Sequence, residues 1–200
     1  MEKIKFIDLF CGIGGFRVAM DEACRENNII SECVFSSDID KHCQDSYENN
    51  FGHRPTGDIT MVDPVSIPDH DILFAGFPCQ HISIIGQMKG FDDTRGTLFF
   101  HIANIQKEKK PKSFILENVK QLVGHNGGQT LKVIIKTLQD LGYHVQYSVL
   151  NALDYGLPQK RERVIIVGHR EPILFSYPLP FRPFKPLSEI LEKKVDKKHF

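Results

Sequence analysis

The segment Phe77-Pro78-Cys79-Gln80 places a cysteine directly after a short apolar run at residues 72–76. Such a run predicts a buried strand, so we expect the Cys79 thiol at the carboxyl end of a strand, the edge at which open α/β sheets bind ligands. Pro78 fixes its own φ and favours an extended Phe77, which makes the turn rigid. A thiol held in one direction suits reaction, whereas a lone free cysteine is more often a buried structural residue. The neighbouring segments favour the reactive interpretation.

The composition is that of a soluble globular domain. The chain has 200 residues, of which 41% are hydrophobic and 25% charged. We expect no membrane span, and residues 1–5 enter a strand without an apolar signal region, so a cytoplasmic location is predicted. Five cysteines without a CxxC pair argue against a disulfide framework and against a zinc site, so no metal is expected. Because 25 Lys and Arg balance 25 Asp and Glu, any basic face for nucleic acid must be local.

A glycine-rich turn at residues 12–15 follows a predicted strand at residues 3–9 and precedes a helical pattern. This order brings backbone N–H groups and a helix N-terminus towards a ligand. A nicotinamide dinucleotide fingerprint would have a third glycine where Arg17 stands, so that cofactor is disfavoured. The next predicted strand, residues 33–37, ends at Asp38, where an acidic side chain can bind ribose hydroxyls. Together these features predict a cofactor that contains a nucleoside.

The remaining elements alternate in the same way. Helical periodicity is found at residues 97–107 and 129–141, and strands are predicted at 113–116, 145–152 and 163–168. Glu117-Asn118-Val119 follows the first of these strands, and a basic segment ending at Arg163 precedes the last. The order predicts an α/β fold, a mostly parallel doubly wound sheet with helices on both faces. We expect residues 1–172 to form the catalytic domain and the Pro- and Phe-rich residues 173–200 to form a connection to a further region.

Four segments, in this order and at this spacing, resemble the motifs of the cytosine-5 DNA methyltransferases of bacterial restriction-modification systems. They are residues 8–16 (DLFCGIGGF), 76–80 (GFPCQ), 117–119 (ENV) and 159–163 (QKRER). The resemblance covers essentially all 200 residues. It implies a Rossmann-like domain that depends on S-adenosylmethionine, releases S-adenosylhomocysteine and acts on duplex DNA.

The resemblance also implies the roles of individual residues. Cys79 would be the nucleophile that attacks C6 of cytosine, and Glu117 would bind N3 of the base. Arg161 and Arg163 would supply the positive field that a reactive thiolate requires. The cofactor would be bound by Phe10, Gly12, Ile13, Gly15, Asp38, Ile39, Asp58, Ile59, Gly76, Pro78 and Leu98. The flipped-out nucleotide or its phosphates would be contacted by Gln80, Ser83 and Arg95 of the loop at residues 80–96.

Several alternatives remain open at the level of sequence. The family's target-recognition region and C-terminal cofactor-binding segment have no counterpart before Phe200, so we expect the chain to need a C-terminal segment or a separate C-terminal subunit. The tRNA-acting branch of the family shares the same motifs. A non-catalytic binding module is disfavoured by the presence of Cys79, Glu117 and both arginines, and a nicotinamide oxidoreductase by Arg17.

The first prediction concerns the cofactor. Because an acid at Asp38 follows the second strand and Arg17 interrupts the dinucleotide fingerprint, the chain should bind S-adenosylmethionine or S-adenosylhomocysteine in preference to NAD. Isothermal titration calorimetry with the three ligands measures this preference directly. Tighter binding of NAD would contradict the assignment of the glycine turn.

Overall fold

Six strands form one sheet with the order β2-β1-β3-β4-β6-β5. The computed structural model describes residues 2–78, 98–181, 186–189 and 191–192. The strands are β1 Lys3–Leu9, β2 Ile30–Ser37, β3 Ile72–Gly76, β4 Ser113–Val119, β5 His144–Asn151 and β6 Glu162–His169. The helices are α1 Gly15–Glu26, α2 Lys41–Phe51, α3 Leu98–Lys109 and α4 Gln129–Asp140. None of the helices in these ranges is long and apolar enough to cross a membrane.

The sheet is mostly parallel, as predicted. β2, β1, β3 and β4 run parallel, whereas β6 is antiparallel to both β4 and β5. Because β2 and β3 lie on opposite sides of β1, the chain changes direction across the sheet at β1, and the crevice next to this strand is where such folds bind ligands.

Two apolar clusters cover the two faces of the sheet. On one face, Met20 and Cys24 of α1 pack against Phe6 and Phe74. On the other, α3 and α4 bury a larger cluster that includes Ile102, Leu131, Ile134, Leu116 and Ile166. This arrangement explains the helical periodicity of α4, since its apolar side chains face the sheet and its charged ones face water.

Two strand boundaries were each predicted about three residues wrong: β2 begins at Ile30 and not at residue 33, and β4 ends later than expected. We expected Glu117, Asn118 and Val119 to follow the strand that begins at Ser113, but β4 continues to Val119. The extension has a partner on one side, because Asn118 pairs with Val164 and Val119 with Arg163 of β6. β3 ends two residues earlier in register, at the pair Gly76 and Glu117. The strand therefore projects past its parallel neighbour towards the edge where ligands bind.

The glycine-rich turn is a tightly fixed piece of backbone. Phe10, Gly12 and Gly14 all have positive φ values, of 56°, 54° and 96°. A side chain at Gly14 would collide with the ring of Phe51 at the end of α2, so only glycine allows α1 to approach α2 this closely. The N–H of Cys11 donates to the carbonyl of Ser37 at 3.0 Å, which ties the turn to the end of β2.

Asp8 is a fully buried acid within β1. Its side chain is 0% exposed, and neither carboxyl oxygen has a hydrogen-bond partner among the described residues. Burial raises the pKa of Asp8 to about 8, against the opposing charge of Arg17 and with the help of the negative charge of Asp38. At neutral pH the folded protein therefore retains a proton on this carboxyl.

The buried carboxyl predicts a pH dependence of stability. Between about pH 4 and pH 8 the unfolded chain loses a proton that the folded chain keeps on Asp8, so the free energy of unfolding falls as pH rises. Asp8→Asn removes this dependence and should gain stability relative to wild type by roughly 1 kcal/mol per pH unit in that window. Urea unfolding at pH 5, 6, 7 and 8 measures the difference.

Asp71→Asn serves as the control of opposite sign. Burial acts to raise the pKa of Asp71, but hydrogen bonds from Lys112 and from the backbone of Lys5 outweigh it and lower the pKa. Its contribution to stability is therefore fully present above about pH 4 and should be lost equally at each pH from 5 to 8. If the free energies of unfolding of wild type and Asp8→Asn changed with pH in the same way, Asp8 would not be protonated in the folded state.

Candidate active site

A cavity of about 420 Å³ lies at the carboxyl edge of the sheet, where β1, β2 and β3 end. Its floor is formed by Phe10 after β1 and Gly76 at the end of β3, and α3 contributes Leu98. The cavity is lined by Phe10, Ser37, Asp38, Ile39, Gly57, Asp58, Ile59, Thr60, Gly76, Pro78 and Leu98. Mostly apolar walls with two carboxylates suit a ligand that has an aromatic part and hydroxyl or amino groups.

Eight of the residues predicted for the cofactor line this cavity: Phe10, Asp38, Ile39, Asp58, Ile59, Gly76, Pro78 and Leu98. Gly12, Ile13 and Gly15 do not line it and belong to the neighbouring glycine turn. The sequence analysis missed Ser37, Gly57 and Thr60. Each lies within two residues of Asp38 or Asp58, so proximity to a predicted acid was the available signal.

Asp38 joins the glycine turn to the cavity. Its Oδ2 accepts the N–H of Gly12 at 2.8 Å and its Oδ1 accepts the N–H of Asp40 at 2.9 Å. A carboxylate can accept about four hydrogen bonds, so each oxygen retains capacity for a ligand. The two backbone bonds fix the direction of the carboxylate before any ligand binds.

Asp58 is fixed in a similar way by a local cap. Its Oδ1 accepts the N–H of Thr60 at 2.9 Å, at the start of a short 3-10 helix formed by Ile59–Met61. Ile59 is buried at 4% exposure and anchors this helix in the core. The segment thus presents an oriented carboxylate at the wall of the cavity.

Phe10 adopts the left-handed backbone conformation, with φ of 56°. An aromatic residue rarely does so, and residues held in sparsely populated conformations cluster at ligand sites. The next residue is fixed by the bond from Cys11 to Ser37, which keeps Phe10 in this conformation at the cavity wall.

A charged cluster lies next to the cavity, where β4 and β6 pair. Glu117 Oε1 is 2.8 Å from Nε of Arg163 and 3.3 Å from Nη2 of Arg161. The other carboxylate oxygen, Oε2, is 3.9 Å from the position that a Cβ at Gly76 would occupy. The two arginines therefore hold one oxygen of Glu117, while the other is directed towards the end of β3.

Arg161 reaches Glu117 because the preceding loop is pinned. Asn151 Oδ1 accepts the backbone N–H of Arg161 at 3.2 Å and that of Leu153 at 3.3 Å. The N–H of Ala152 donates to the carbonyl of Arg161 at 3.0 Å.

Four predicted residues, Cys79, Gln80, Ser83 and Arg95, lie outside the described residues.

The fold is shared with solved structures of methyltransferases. The structure superposes on the methyltransferase EhMeth of Entamoeba histolytica with a TM-score of 0.77 and 20% identity, covering 99% of this chain and 62% of that one. The Dnmt2 methyltransferase of S. pombe gives a TM-score of 0.73 and 18% identity, with coverage of 100% and 63%. At these identities the likeness shows a shared fold, which is of the Rossmann-like α/β type.

The sequence defines the family. Residues 4–199 match the family of C-5 cytosine-specific DNA methylases, and the chain belongs to it. The type II methyltransferase M.NgoBI of Neisseria gonorrhoeae is 54% identical over 192 residues, which are 96% of this chain and 59% of that protein. M.HhaI of Haemophilus parahaemolyticus is 53% identical over 181 residues, 89% of this chain and 54% of that protein. The chain thus spans less than two thirds of the length of these relatives.

The size of the side chain at position 76 should determine how well the cavity binds its ligand. An added Cβ at Gly76 would meet Glu117 and Phe10 at 3.9 Å, which is ordinary contact, whereas a larger side chain would extend into the cavity. Gly76→Val should therefore weaken binding of S-adenosylhomocysteine by at least about tenfold, the equivalent of 1.4 kcal/mol. Calorimetry on wild type and variant measures the change.

Gly76→Ala is the matched variant, because it adds only the Cβ that the site accommodates. It should bind the same ligand within about threefold of wild type, a difference below 1 kcal/mol. Equal binding by Gly76→Val would mean that the ligand occupies another part of the surface.

Proposed function

We propose that this chain is the catalytic part of a type II DNA methyltransferase that transfers a methyl group from S-adenosylmethionine to C5 of cytosine in duplex DNA. The observation that carries the proposal is the position of Glu117. Its Oε2 faces Gly76, at the end of the strand that leads to Cys79, and beside the cavity that has the features of a nucleoside site. Family membership and the names of the relatives support the same reaction.

The cavity fits the proposed cofactor. Phe10 offers an aromatic face for adenine, Asp38 has capacity for two ribose hydroxyls, and Asp58 can accept from the adenine amino group. When bound there, S-adenosylmethionine would supply the electrophilic methyl group, and Gly76 and Pro78 would be among the residues that hold it. Gly12, Ile13 and Gly15 remain proposed neighbours of its methionine part, reached along the glycine turn.

The chemistry requires a nucleophile, because C5 of cytosine is too electron-poor to accept a methyl group unaided. We propose that the Cys79 thiolate adds to C6 and places electron density on C5 and N3. Glu117 stabilises the charge at N3 by sharing a proton with it, and Arg161 and Arg163 keep its carboxyl group oriented. After C5 has gained the methyl group, loss of the C5 proton to a base re-forms the double bond and expels Cys79.

The target base must leave the duplex for these atoms to meet. Flipping a nucleotide costs a few kcal/mol, which contacts to the extruded base offset. We propose that Gln80, Ser83 and Arg95 provide some of these contacts. Reading a defined sequence requires base-edge contacts in a groove, and we propose that a C-terminal segment or subunit provides them.

We further propose that residues 1–172 are the catalytic domain and residues 173–200 the connection to that recognition part. The start of the connection lies along β6, since Tyr177 donates from its hydroxyl to the carbonyl of Ile165 at 3.0 Å. Phe181 contacts the ring of Tyr155 with a centroid separation of 6.2 Å. The bacterial origin of the relatives supports action in a bacterial cytoplasm.

The covalent step provides the test. In a duplex with 5-fluorocytosine at the target, fluorine cannot leave as a proton does, so the protein as its source gene encodes it should form a stable adduct in the presence of S-adenosylmethionine. Cys79→Ser should abolish the adduct because the serine hydroxyl is a far weaker nucleophile than a thiolate. Denaturing gel electrophoresis followed by peptide mapping detects the adduct and its site.

Cys43→Ser is the matched control, since it removes a half-buried thiol on α2, which carries none of the proposed catalytic residues. It should form the adduct at the wild-type rate. An adduct mapped to another cysteine would refute the role of Cys79. An adduct with a tRNA that contains 5-fluorocytosine, and none with the duplex DNA, would refute the proposed substrate.

A further inference from the structure

Asn118 is a buried amide at the edge of the sheet where the proposed active site lies. It is 1% exposed and lies within β4, directly after Glu117. Its Nδ2 donates to the carbonyl of Phe77 at 2.7 Å, and its Oδ1 accepts the N–H of Val119 at 2.8 Å. Both bonds require this orientation of the amide, because a flipped group would face each partner with the wrong atom.

The bond to Phe77 continues a strand pairing that the backbone cannot continue. The register of β3 and β4 ends at the pair Gly76 and Glu117. Pro78 has no N–H, so the ladder cannot extend through it. The side chain of Asn118 instead provides a donor for the Phe77 carbonyl, which would otherwise lose its partner in a buried place.

Phe77 is thereby held from two directions. Its ring is 2% exposed and packs on Phe99 of α3 with centroids 6.0 Å apart, while its carbonyl is held by β4. Its neighbours Gly76 and Pro78 line the cavity, and Cys79 follows two residues later in the sequence. We call the hydrogen bond from Asn118 to the Phe77 carbonyl the clamp. The clamp therefore acts on the peptide that connects the cavity to the proposed nucleophile.

We propose that Asn118 is a positioning residue for the methyl-transfer reaction. By tying the Phe77 carbonyl to the strand that carries Glu117, it sets the position of the segment that leads to Cys79 relative to the carboxyl group proposed to bind N3. It does this without lining the cavity. This inference rests on the proposed function, since it assigns Cys79 and Glu117 to one reaction.

Two substitutions distinguish the loss of the Nδ2 donor from the loss of the whole Asn118 side chain. Asn118→Ala removes both hydrogen bonds. Asn118→Asp has nearly the same shape and keeps an acceptor for Val119, but when ionised it has no donor for the Phe77 carbonyl. When protonated, the introduced carboxyl group regains a donor, so this variant should recover function as pH falls.

Tyr143→Phe is the matched control. The Tyr143 hydroxyl donates to the carbonyl of Pro111 at 2.9 Å and is buried, so its loss also deletes one buried bond from a side chain to a backbone carbonyl. Pro111 lies at the opposite edge of the sheet, just before β4 begins. The control thus deletes a comparable buried bond to a backbone carbonyl while leaving Phe77 untouched.

The measurement is the single-turnover rate of adduct formation with the 5-fluorocytosine duplex, made on the protein as its gene encodes it. Asn118→Ala should slow this rate by about tenfold to a hundredfold, the size of effect that misplacement of a reacting group produces. The dissociation constant of the duplex should stay within about threefold of wild type, and Tyr143→Phe should stay within about twofold in rate. The ratio of the Asn118→Asp rate to the wild-type rate should rise from pH 8 to pH 6, whereas that of Asn118→Ala should not.

A rate for Asn118→Ala within twofold of wild type, or an equal loss in Tyr143→Phe, would overturn the positioning role. If wild type itself formed no adduct, the proposed function would fail, and iodoacetamide labelling would still test the clamp. The labelling rate of Cys79 relative to that of Cys43 should then change at least threefold in Asn118→Ala and not in Tyr143→Phe. An unchanged ratio would overturn the clamp independently of the reaction.

Discussion

The parallel pairing of β3 with β1 on one side and β4 on the other is the constraint on which the site depends. It brings the residue after β1, the last residue of β3 and the carboxylate of β4 to one edge, as Phe10, Gly76 and Glu117. Because Gly76 has no side chain, the cavity and the charged cluster meet there without a barrier. Glu117 is then held by Arg161 and Arg163, two contacts that local sequence does not reveal.

Local pattern predicted the elements well where a strand is short, apolar and bounded by polar residues. β3 is the clearest case, since residues 72–76 were predicted and β3 is Ile72–Gly76. The end of β4 was predicted too early because Glu117 and Asn118 are polar. What extends the strand is pairing with β6, about 45 residues later, and such a partner leaves no mark in the local sequence.

The candidate site was predictable to the extent that motifs fix backbone turns. The acids Asp38 and Asp58 and the aromatic Phe10 were all named from sequence and all line the cavity. Gly12 was expected to approach the ligand, yet its N–H is already bound to Asp38. Gly12 therefore also orients a carboxylate, a role that depends on a contact between residues 26 positions apart.

The charged cluster shows why two arginines accompany one carboxylate. Both reach the same oxygen of Glu117, so their charges and geometry restrain the rotation of the group without occupying the second oxygen. A single flexible cation at this half-exposed edge would restrain the carboxylate less, because an exposed ion pair contributes little and is screened by salt. With Oε1 held on the β6 side, Oε2 is the atom directed at the end of β3. Asn118 holds the chain just after that point. β4 therefore carries the acid that the arginines orient, and it also fixes the path of the segment that follows β3.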